Sequence, residues 1–188
     1  MELVNEAIVF AATVHDGMRR KRNDTPYILH PMEAAVIVST MTEDQEVIAA
    51  AVLHDVVEDA GVTMETIEEK FGVRVRELVA CETEDKRPDR PSIETWQIRK
   101  EESLLVLKNT EDIDVLIVWL GDKLANMRSL YREWKIQGDA MWNNFNQTNP
   151  KMQAWYYYSI VEFTSRLSHT PAWIEYKALT DIVFREGK

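Results

Sequence analysis

The chain has 188 residues, of which 45% are hydrophobic, and a formal net charge of −10, so we predict a single globular domain over residues 1–188 with a substantial core. The negative charge argues against a nucleic-acid partner, and the lack of any apolar run of roughly 20 residues argues against a membrane span or a membrane partner. The first residues lack the basic segment of a signal peptide, and the single Cys81 cannot form an internal disulfide, which predicts a cytoplasmic location.

Apolar residues at helical spacing dominate the first half of the chain. A first helix is predicted over about residues 2–16. His30-Pro31 predicts a helix start with proline at the first helical position. Thr42 and Gln45 match a capping box, which predicts a helix that runs through Asp55. Two shorter helices are predicted to follow, from Thr63 to about Gly72 and from Val73 to Ala80.

The second half begins with a charged loop over residues 82–91 and continues with a helix over about residues 92–108. The apolar run over residues 113–120 is compatible with a buried strand or a buried helix. We favour a helix because no other segment is available as a strand to pair with it. Asn149-Pro150 and Thr170-Pro171 each combine an N-cap residue with proline at the first helical position, so they open the last two helices. The sequence therefore predicts an all-α fold.

Four consecutive basic residues stand out in this acidic chain: Arg19, Arg20, Lys21 and Arg22. Most charge runs are solvated turns, and this one can be interpreted in the same way. It can also be interpreted as a local anion site, which a protein of negative net charge would need in order to bind an anion. Composition alone does not separate the two interpretations.

Four ionisable residues occur within six positions of the apolar segment AAAVLHDVVEDA, namely His54, Asp55, Glu58 and Asp59. A solvent-facing acidic helix end would account for Glu58 and Asp59. It accounts poorly for His54 and Asp55, because apolar residues flank this pair on both sides. Buried charges are costly unless they are paired or bind a metal ion. A metal site is therefore the alternative interpretation.

Further ligands for a metal are available from His30, at a predicted helix start, and from Asp122, at the end of a long apolar run. Either residue alone is more often a hydrogen-bonded core residue than a ligand. Together with His54 and Asp55 they supply two imidazoles and two carboxylates, a mixed set suited to a borderline-hard divalent ion such as Mn²⁺. Asn126 follows Asp122 by four residues, so it should point into the same cavity.

Five segments occur in a characteristic order along the chain: HDGMRRKRNDTPYILHP, HPMEAAVI, LHDVVEDA, TMETIEEKFG and LGDKLANMRSL. In sequence and spacing they resemble the hydrolase domain of the RelA/SpoT family, and the similarity runs from about residue 7 to residue 131. An adjacent His-Asp pair alone would be a weak signal, whereas five ordered blocks are specific. At this length, without a synthetase domain, the chain resembles the small alarmone hydrolases, including the animal homologues of SpoT.

The resemblance implies an all-α HD-domain phosphohydrolase fold and three groups of site residues: Mn²⁺ ligands, residues that orient or deprotonate the attacking water, and residues that bind the nucleotide. These are, in the same order, His30, His54, Asp55 and Asp122; Glu58 and Asp59; and Arg20, Lys21 and Asn126. The implied substrate is a small-molecule nucleotide, (p)ppGpp, which is cut at the 3′ position to GDP or GTP and pyrophosphate.

The chain departs from the family pattern at three positions near these residues. Met18 replaces a common glutamine, and Gly121 replaces the usual alanine before the aspartate. Ala125 stands where many relatives have histidine or tyrosine. None of the three is an implied ligand, but Ala125 would widen the pocket and change which nucleotide is accepted.

Two other functions compete with alarmone hydrolysis. One is that of another HD-family nucleotide phosphohydrolase, such as a 5′-nucleotidase or a hydrolase of NADPH or adenosine alarmones. The other is an antitoxin-like partner of an alarmone synthetase, which would act by binding or removing the product of that enzyme. The complete set of four ligands favours catalysis over binding alone. The oligomeric state is left open, and assembly as a homo-oligomer is compatible with the sequence.

Overall fold

The computed structural model describes residues 1–20 and 24–184. They form ten α-helices and two 3₁₀ helices, and in this part of the chain no β-strand occurs apart from an isolated bridge between Arg19 and Pro26. The α-helices are α1 Leu3–Val14, α2 Leu29–Val38, α3 Gln45–Leu53, α4 Val56–Ala60, α5 Met64–Phe71, α6 Val73–Glu82, α7 Ser92–Asn109, α8 Ile113–Gln137, α9 Pro150–Phe163 and α10 Pro171–Val183. The 3₁₀ helices are Gly138–Asn144 and Ser165–Leu167. The predicted all-α fold is confirmed.

Helix α8 lies at the centre of the fold and contacts α2, α3, α6 and α10. Residues 115–122 are buried without interruption, which explains why the apolar run shows no polar face. A helix that is covered on all sides is hydrophobic all round. The choice of a helix over a strand for residues 113–120 is therefore correct.

Helices α2 and α8 approach each other closely at Gly121. A Cβ atom at this position would lie 2.5 Å from Val38 Cγ2 and 3.0 Å from the carbonyl oxygen of Ala34. Glycine is thus the residue that permits this spacing. The contact matters for the site because α2 carries His30 and α8 carries Asp122.

The predicted continuous helix through Asp55 is wrong, since α3 ends at Leu53 and α4 begins at Val56. His54 Nδ1 lies 2.8 Å from the carbonyl oxygen of Ala51. In an uninterrupted helix that carbonyl would accept the backbone N–H of Asp55. The imidazole competes for this acceptor, which accounts for a turn at His54 and Asp55. The two residues thus lie in a turn between two helices.

Two predicted helix starts also differ from the structure. Helix α2 begins at Leu29, so Pro31 is its third residue. The capping residue of α3 is Asp44, whose carboxylate accepts the N–H of Glu46 at 2.8 Å, rather than Thr42. A charged carboxylate is a stronger acceptor for the free amides of a helix N-terminus than a hydroxyl. The predicted caps Asn149 and Thr170 are confirmed, and Thr63, predicted as a helix start, caps α5.

Among the described residues, no helix combines the length and the apolar character that a membrane crossing requires.

Candidate active site

The four residues predicted as metal ligands converge, although they come from three different parts of the chain. The Nε2 atoms of His30 and His54 lie 3.3 Å apart. Asp122 Oδ1 is 3.0 Å from the Nε2 atom of His30, and Asp55 Oδ2 is 3.2 Å from that of His54. The side chains are almost fully buried, with 16% of Asp55 exposed as the largest value. Donor atoms of His30, His54 and Asp122 lie close enough to one another to hold a divalent metal ion, and the Asp55 carboxylate lies beside this group.

Hydrogen bonds around the cluster orient the donor atoms inward. The bond between His54 Nδ1 and the Ala51 carbonyl requires a proton on Nδ1, and it leaves the Nε2 lone pair directed at the cluster. Burial acts to lower the pKa of His54, but the carboxylates of Asp55 and Asp122 outweigh it and raise this pKa well above its ordinary value. The cluster therefore strongly favours a positive charge at its centre. A divalent cation fits this requirement.

Asp122 also forms an ion pair with Lys123, which was not predicted from the sequence. The Lys123 side chain is 12% exposed, its ammonium group contacts the Asp122 carboxylate, and it lies 3.2 Å from Glu82 Oε2. It also lies 4.6 Å from the ring centroid of Trp119. The signal that could have revealed Glu82 is its position on the apolar stripe of α6, which includes the buried Leu78.

Glu58 and Asp59, the predicted catalytic residues, line a cavity of about 550 Å³ together with Tyr27 and Lys86. The Tyr27 hydroxyl is 2.6 Å from Asp59 Oδ2 and 2.8 Å from Asp55 Oδ2. The ammonium group of Lys86 contacts the Asp59 carboxylate and donates to the carbonyl oxygen of Glu58 at 2.9 Å. Burial and the negative charge of Asp55 raise the pKa of Glu58, which makes its carboxylate a stronger proton acceptor.

Two of the three predicted nucleotide-binding residues, Arg20 and Asn126, also line the cavity and contact each other. Arg20 donates to Asn126 Oδ1 at 2.9 Å, and Asn126 donates to Asp122 Oδ1 at 2.6 Å. The Arg20 guanidinium also lies 5.5 Å from the ring centroid of Tyr27. The two hydrogen bonds connect Arg20 of the basic segment to Asp122 of the buried cluster. Lys21 lies outside the described residues.

Neither Tyr27 nor Lys86 was predicted from the sequence as a site residue. Tyr27 is separated from Asp55 by 28 residues and from Asp59 by 32, so no local spacing connects them. Lys86 lies in the segment that was predicted only as a charged loop. Its contacts with residues 27 and 28 positions away depend on how that loop folds back over α4.

Residues 7–142 match the family model of the HD domain. A GTP pyrophosphokinase rsh from Brucella ovis is 40% identical over 131 residues, which are 68% of this chain and 17% of that protein. A putative GTP diphosphokinase RSH1, chloroplastic, from Arabidopsis thaliana is 39% identical over 153 residues, or 75% of this chain and 17% of that protein. The chain thus spans less than a fifth of the length of these relatives.

Two solved structures are similar over most of their length. One is from work on a metazoan ortholog of SpoT that hydrolyses ppGpp and plays a role in starvation responses; its TM-score is 0.72 at 25% identity, with 100% of this chain and 96% of that chain covered. The other is lmo0812 from Listeria monocytogenes EGD-e, with a TM-score of 0.72 at 29% identity over 85% of this chain and 96% of that chain. The chain therefore belongs to the HD domain family, among the HD domains of the RelA/SpoT type.

Proposed function

We propose that the chain is a metal-dependent hydrolase of (p)ppGpp that removes the 3′ pyrophosphate and leaves GDP or GTP. The observation that carries this proposal is the convergence of His30, His54, Asp55 and Asp122 beside a cavity lined by Glu58. The similarity to a metazoan ortholog of SpoT that hydrolyses ppGpp supports the choice of substrate. In this proposal residues 1–188 act as one HD-type domain.

We propose Mn²⁺ as the metal ion, with the four converging residues as its ligands. The mixture of imidazole nitrogens and carboxylate oxygens supports a borderline-hard ion over one that prefers oxygen alone. When bound, a divalent ion polarises a phosphoryl oxygen and lowers the pKa of a coordinated water.

The remaining groups of the site have separate roles in this mechanism. Glu58, with its raised pKa, accepts a proton from the attacking water, and Asp59 orients that water. The water oxygen bonds to the phosphorus atom that is attached to the ribose 3′ oxygen. The bond between this phosphorus and the 3′ oxygen breaks, and the 3′ oxygen takes up a proton. Arg20 and Lys21 bind the nucleotide, and Asn126 contacts the ribose. The cations also supply the counter-charge that a polyanionic substrate needs in a chain of charge −10.

The experiment is incubation of the purified protein with Mn²⁺ and ppGpp in ¹⁸O-labelled water, followed by chromatography and mass spectrometry. We expect GDP and labelled pyrophosphate without early orthophosphate, since water attacks phosphorus and the 3′ carbon–oxygen bond stays intact. Glu58→Gln keeps the size of the side chain but removes the proton acceptor, so turnover should fall while nucleotide binding persists.

The same experiment separates the competing functions. A 5′-nucleotidase would release orthophosphate and shorten the 5′ chain. A hydrolase of NADPH or of adenosine alarmones would leave ppGpp intact and act on those nucleotides in a parallel incubation. An antitoxin-like binder would retain ppGpp without hydrolysis, and its effect on a synthetase would survive Asp55→Ala. Size-exclusion chromatography with light scattering determines whether the chain also forms the homo-oligomer that the sequence allows.

A further inference from the structure

Three cationic side chains from residues 86–100 line the cavity, namely Lys86, Arg99 and Lys100; we call them the basic wall. The sequence analysis assigned them no role, since residues 82–91 were predicted as a loop and residues 92–108 only as a helix. Arg20 lines the same cavity but donates to Asn126, whereas the members of the wall pair with Glu84 and Asp59. The cavity therefore has two groups of cations rather than one.

Glu84 holds two members of the wall in place. Arg99 Nη1 lies 2.7 Å from one carboxylate oxygen of Glu84, and Lys100 Nζ lies 2.6 Å from the other. All three side chains are largely buried, at 11% exposure for Arg99 and 19% for Lys100 against 9% for Glu84. One carboxylate thus balances only one of two buried cations. A buried charge without a full partner is costly, so an anionic ligand would complete this group.

The wall lies against the proposed catalytic carboxylates. The ammonium group of Lys86 contacts the Asp59 carboxylate and donates to the backbone carbonyl oxygen of Glu58. The backbone N–H of Glu84, the residue that holds Arg99 and Lys100, donates to Glu58 Oε2 at 3.2 Å. Any anion on the wall is therefore next to the position where water would be activated.

The charge of the cavity supports an anionic occupant. Five cationic side chains and three carboxylates line the cavity in the described part of the chain, although the whole chain carries a net charge of −10. Glu84 pairs with two of these cations, and the cations still outnumber the carboxylates when it is counted. A polyphosphate needs such an excess, since charge-assisted hydrogen bonds from arginine and lysine are the strongest available to phosphate oxygens.

We propose that the basic wall is a subsite for the 3′ pyrophosphate, in which Arg99 and Lys100 bind its terminal phosphate and Lys86 binds the phosphate next to the ribose. This assignment rests on the proposed function. The assignment follows from the position of the wall. A phosphate bound next to Glu58 and Asp59, the proposed catalytic residues, is the one that the activated water attacks. After the bond to the 3′ oxygen breaks, the pyrophosphate stays on the wall while the nucleotide is held by Arg20 and Asn126.

The direct test measures binding of inorganic pyrophosphate to metal-free protein by isothermal titration calorimetry. Arg99→Gln and Lys100→Gln should each weaken binding by about tenfold or more, because each removes charge-assisted hydrogen bonds. Lys100→Arg, which keeps the charge, should retain binding. Arg90→Gln is the matched control, since Arg90 is an exposed cation that pairs with Glu94 outside the cavity. Equal affinity in all variants would overturn the subsite.

Loss of Glu84's partners could destabilise the fold, so circular dichroism and thermal unfolding accompany each variant. Lys86→Gln provides a second route, because Lys86 is 42% exposed and its replacement leaves the Glu84 pairs intact. It should weaken pyrophosphate binding by several-fold with an unchanged unfolding midpoint. Unchanged binding in this variant would remove Lys86 from the subsite.

Kinetics with two nucleotides determine which pyrophosphate the wall binds. The two guanosine substrates both carry a 3′ pyrophosphate, and they differ in having a diphosphate or a monophosphate at the 5′ position. We expect Lys100→Gln to raise KM by the same factor for both. A penalty confined to the 5′-diphosphate would place the 5′ chain on the wall and contradict the assignment. Failure of the proposed function has a different signature, in which the native protein binds pyrophosphate through the wall but hydrolyses neither nucleotide.

Discussion

A single hydroxyl group connects the two halves of the candidate site. Tyr27 OH has one hydrogen, yet it lies within 2.8 Å of a carboxylate oxygen of Asp55 and within 2.6 Å of one of Asp59. Asp55 belongs to the proposed ligand set and Asp59 to the proposed catalytic pair. The hydroxyl therefore ties Asp55, a proposed metal ligand, to Asp59, which we propose orients the attacking water. Residues that orient ligands in this way affect metal affinity and activity strongly.

We predict that Tyr27→Phe lowers kcat for ppGpp hydrolysis by about 10- to 100-fold, with a smaller change in KM, because the aromatic ring stays and only the hydroxyl is lost. Steady-state kinetics at saturating Mn²⁺ measure this effect. Tyr158→Phe is the matched control, since it removes a hydroxyl that bonds Asp181 far from the cavity. Equal kcat values in the two variants would show that the Tyr27 hydroxyl has no part in catalysis.

Single residues differ in how much the sequence reveals about them. His54 and Asp55 were recognised because polar residues inside an apolar segment need a reason to be there. Tyr27 and Lys86 give no such signal, because tyrosine and lysine are ordinary residues in a loop. Their importance arises from hydrogen bonds to residues about 30 positions away, which only the tertiary structure defines.

At the scale of helices, the spacing between α2 and α8 determines how far His30 lies from Asp122. Gly121 allows this spacing, since a Cβ atom would come within 2.5 Å of Val38 Cγ2. A β-branched valine has few alternative rotamers with which to relieve the overlap.

We predict that Gly121→Ala lowers the free energy of unfolding by about 1 kcal/mol, as overpacking costs about 1–3 kcal/mol and alanine regains up to about 1 kcal/mol of helix propensity. Val38→Ala should be less harmful in the Gly121→Ala background than alone, because the new Cβ fills the space that the valine vacates. A double-mutant cycle of urea denaturation measures the coupling. Additive effects would mean that the two side chains do not compete for the same volume.

Helix boundaries were predictable where local chemistry decides them. Asn149 and Thr170 cap their helices as predicted, since a capping side chain bonds amides only two or three residues ahead. The break between α3 and α4 was not predictable, because the residues around it favour helix and the competing group is the His54 imidazole. That ring is held by contacts with His30, which are tertiary.

For the whole molecule, the proposed metal site joins elements that are far apart in sequence. His30 comes from α2, His54 and Asp55 from the turn between α3 and α4, and Asp122 from α8. A metal ion at this position would crosslink three parts of the core. Metal binding should therefore stabilise the entire fold, since a preformed site of this kind does not exist in the unfolded chain.

We predict that Mn²⁺ at about 100 times its dissociation constant raises the free energy of unfolding by about 2.7 kcal/mol. For a domain of this size that corresponds to an increase of about 5–10 °C in the unfolding midpoint, which differential scanning calorimetry measures with and without the metal. Asp55→Ala should abolish both the increase and the bound Mn²⁺ found by metal analysis, while far-ultraviolet circular dichroism shows unchanged helical content. Glu58→Gln should keep the full increase in the unfolding midpoint, because Glu58 is proposed to accept a proton from water and not to coordinate the metal ion. If Asp55→Ala binds a full equivalent of Mn²⁺ and retains the increase, Asp55 is not a ligand, and if Glu58→Gln loses the increase, the ligand set must be extended to Glu58.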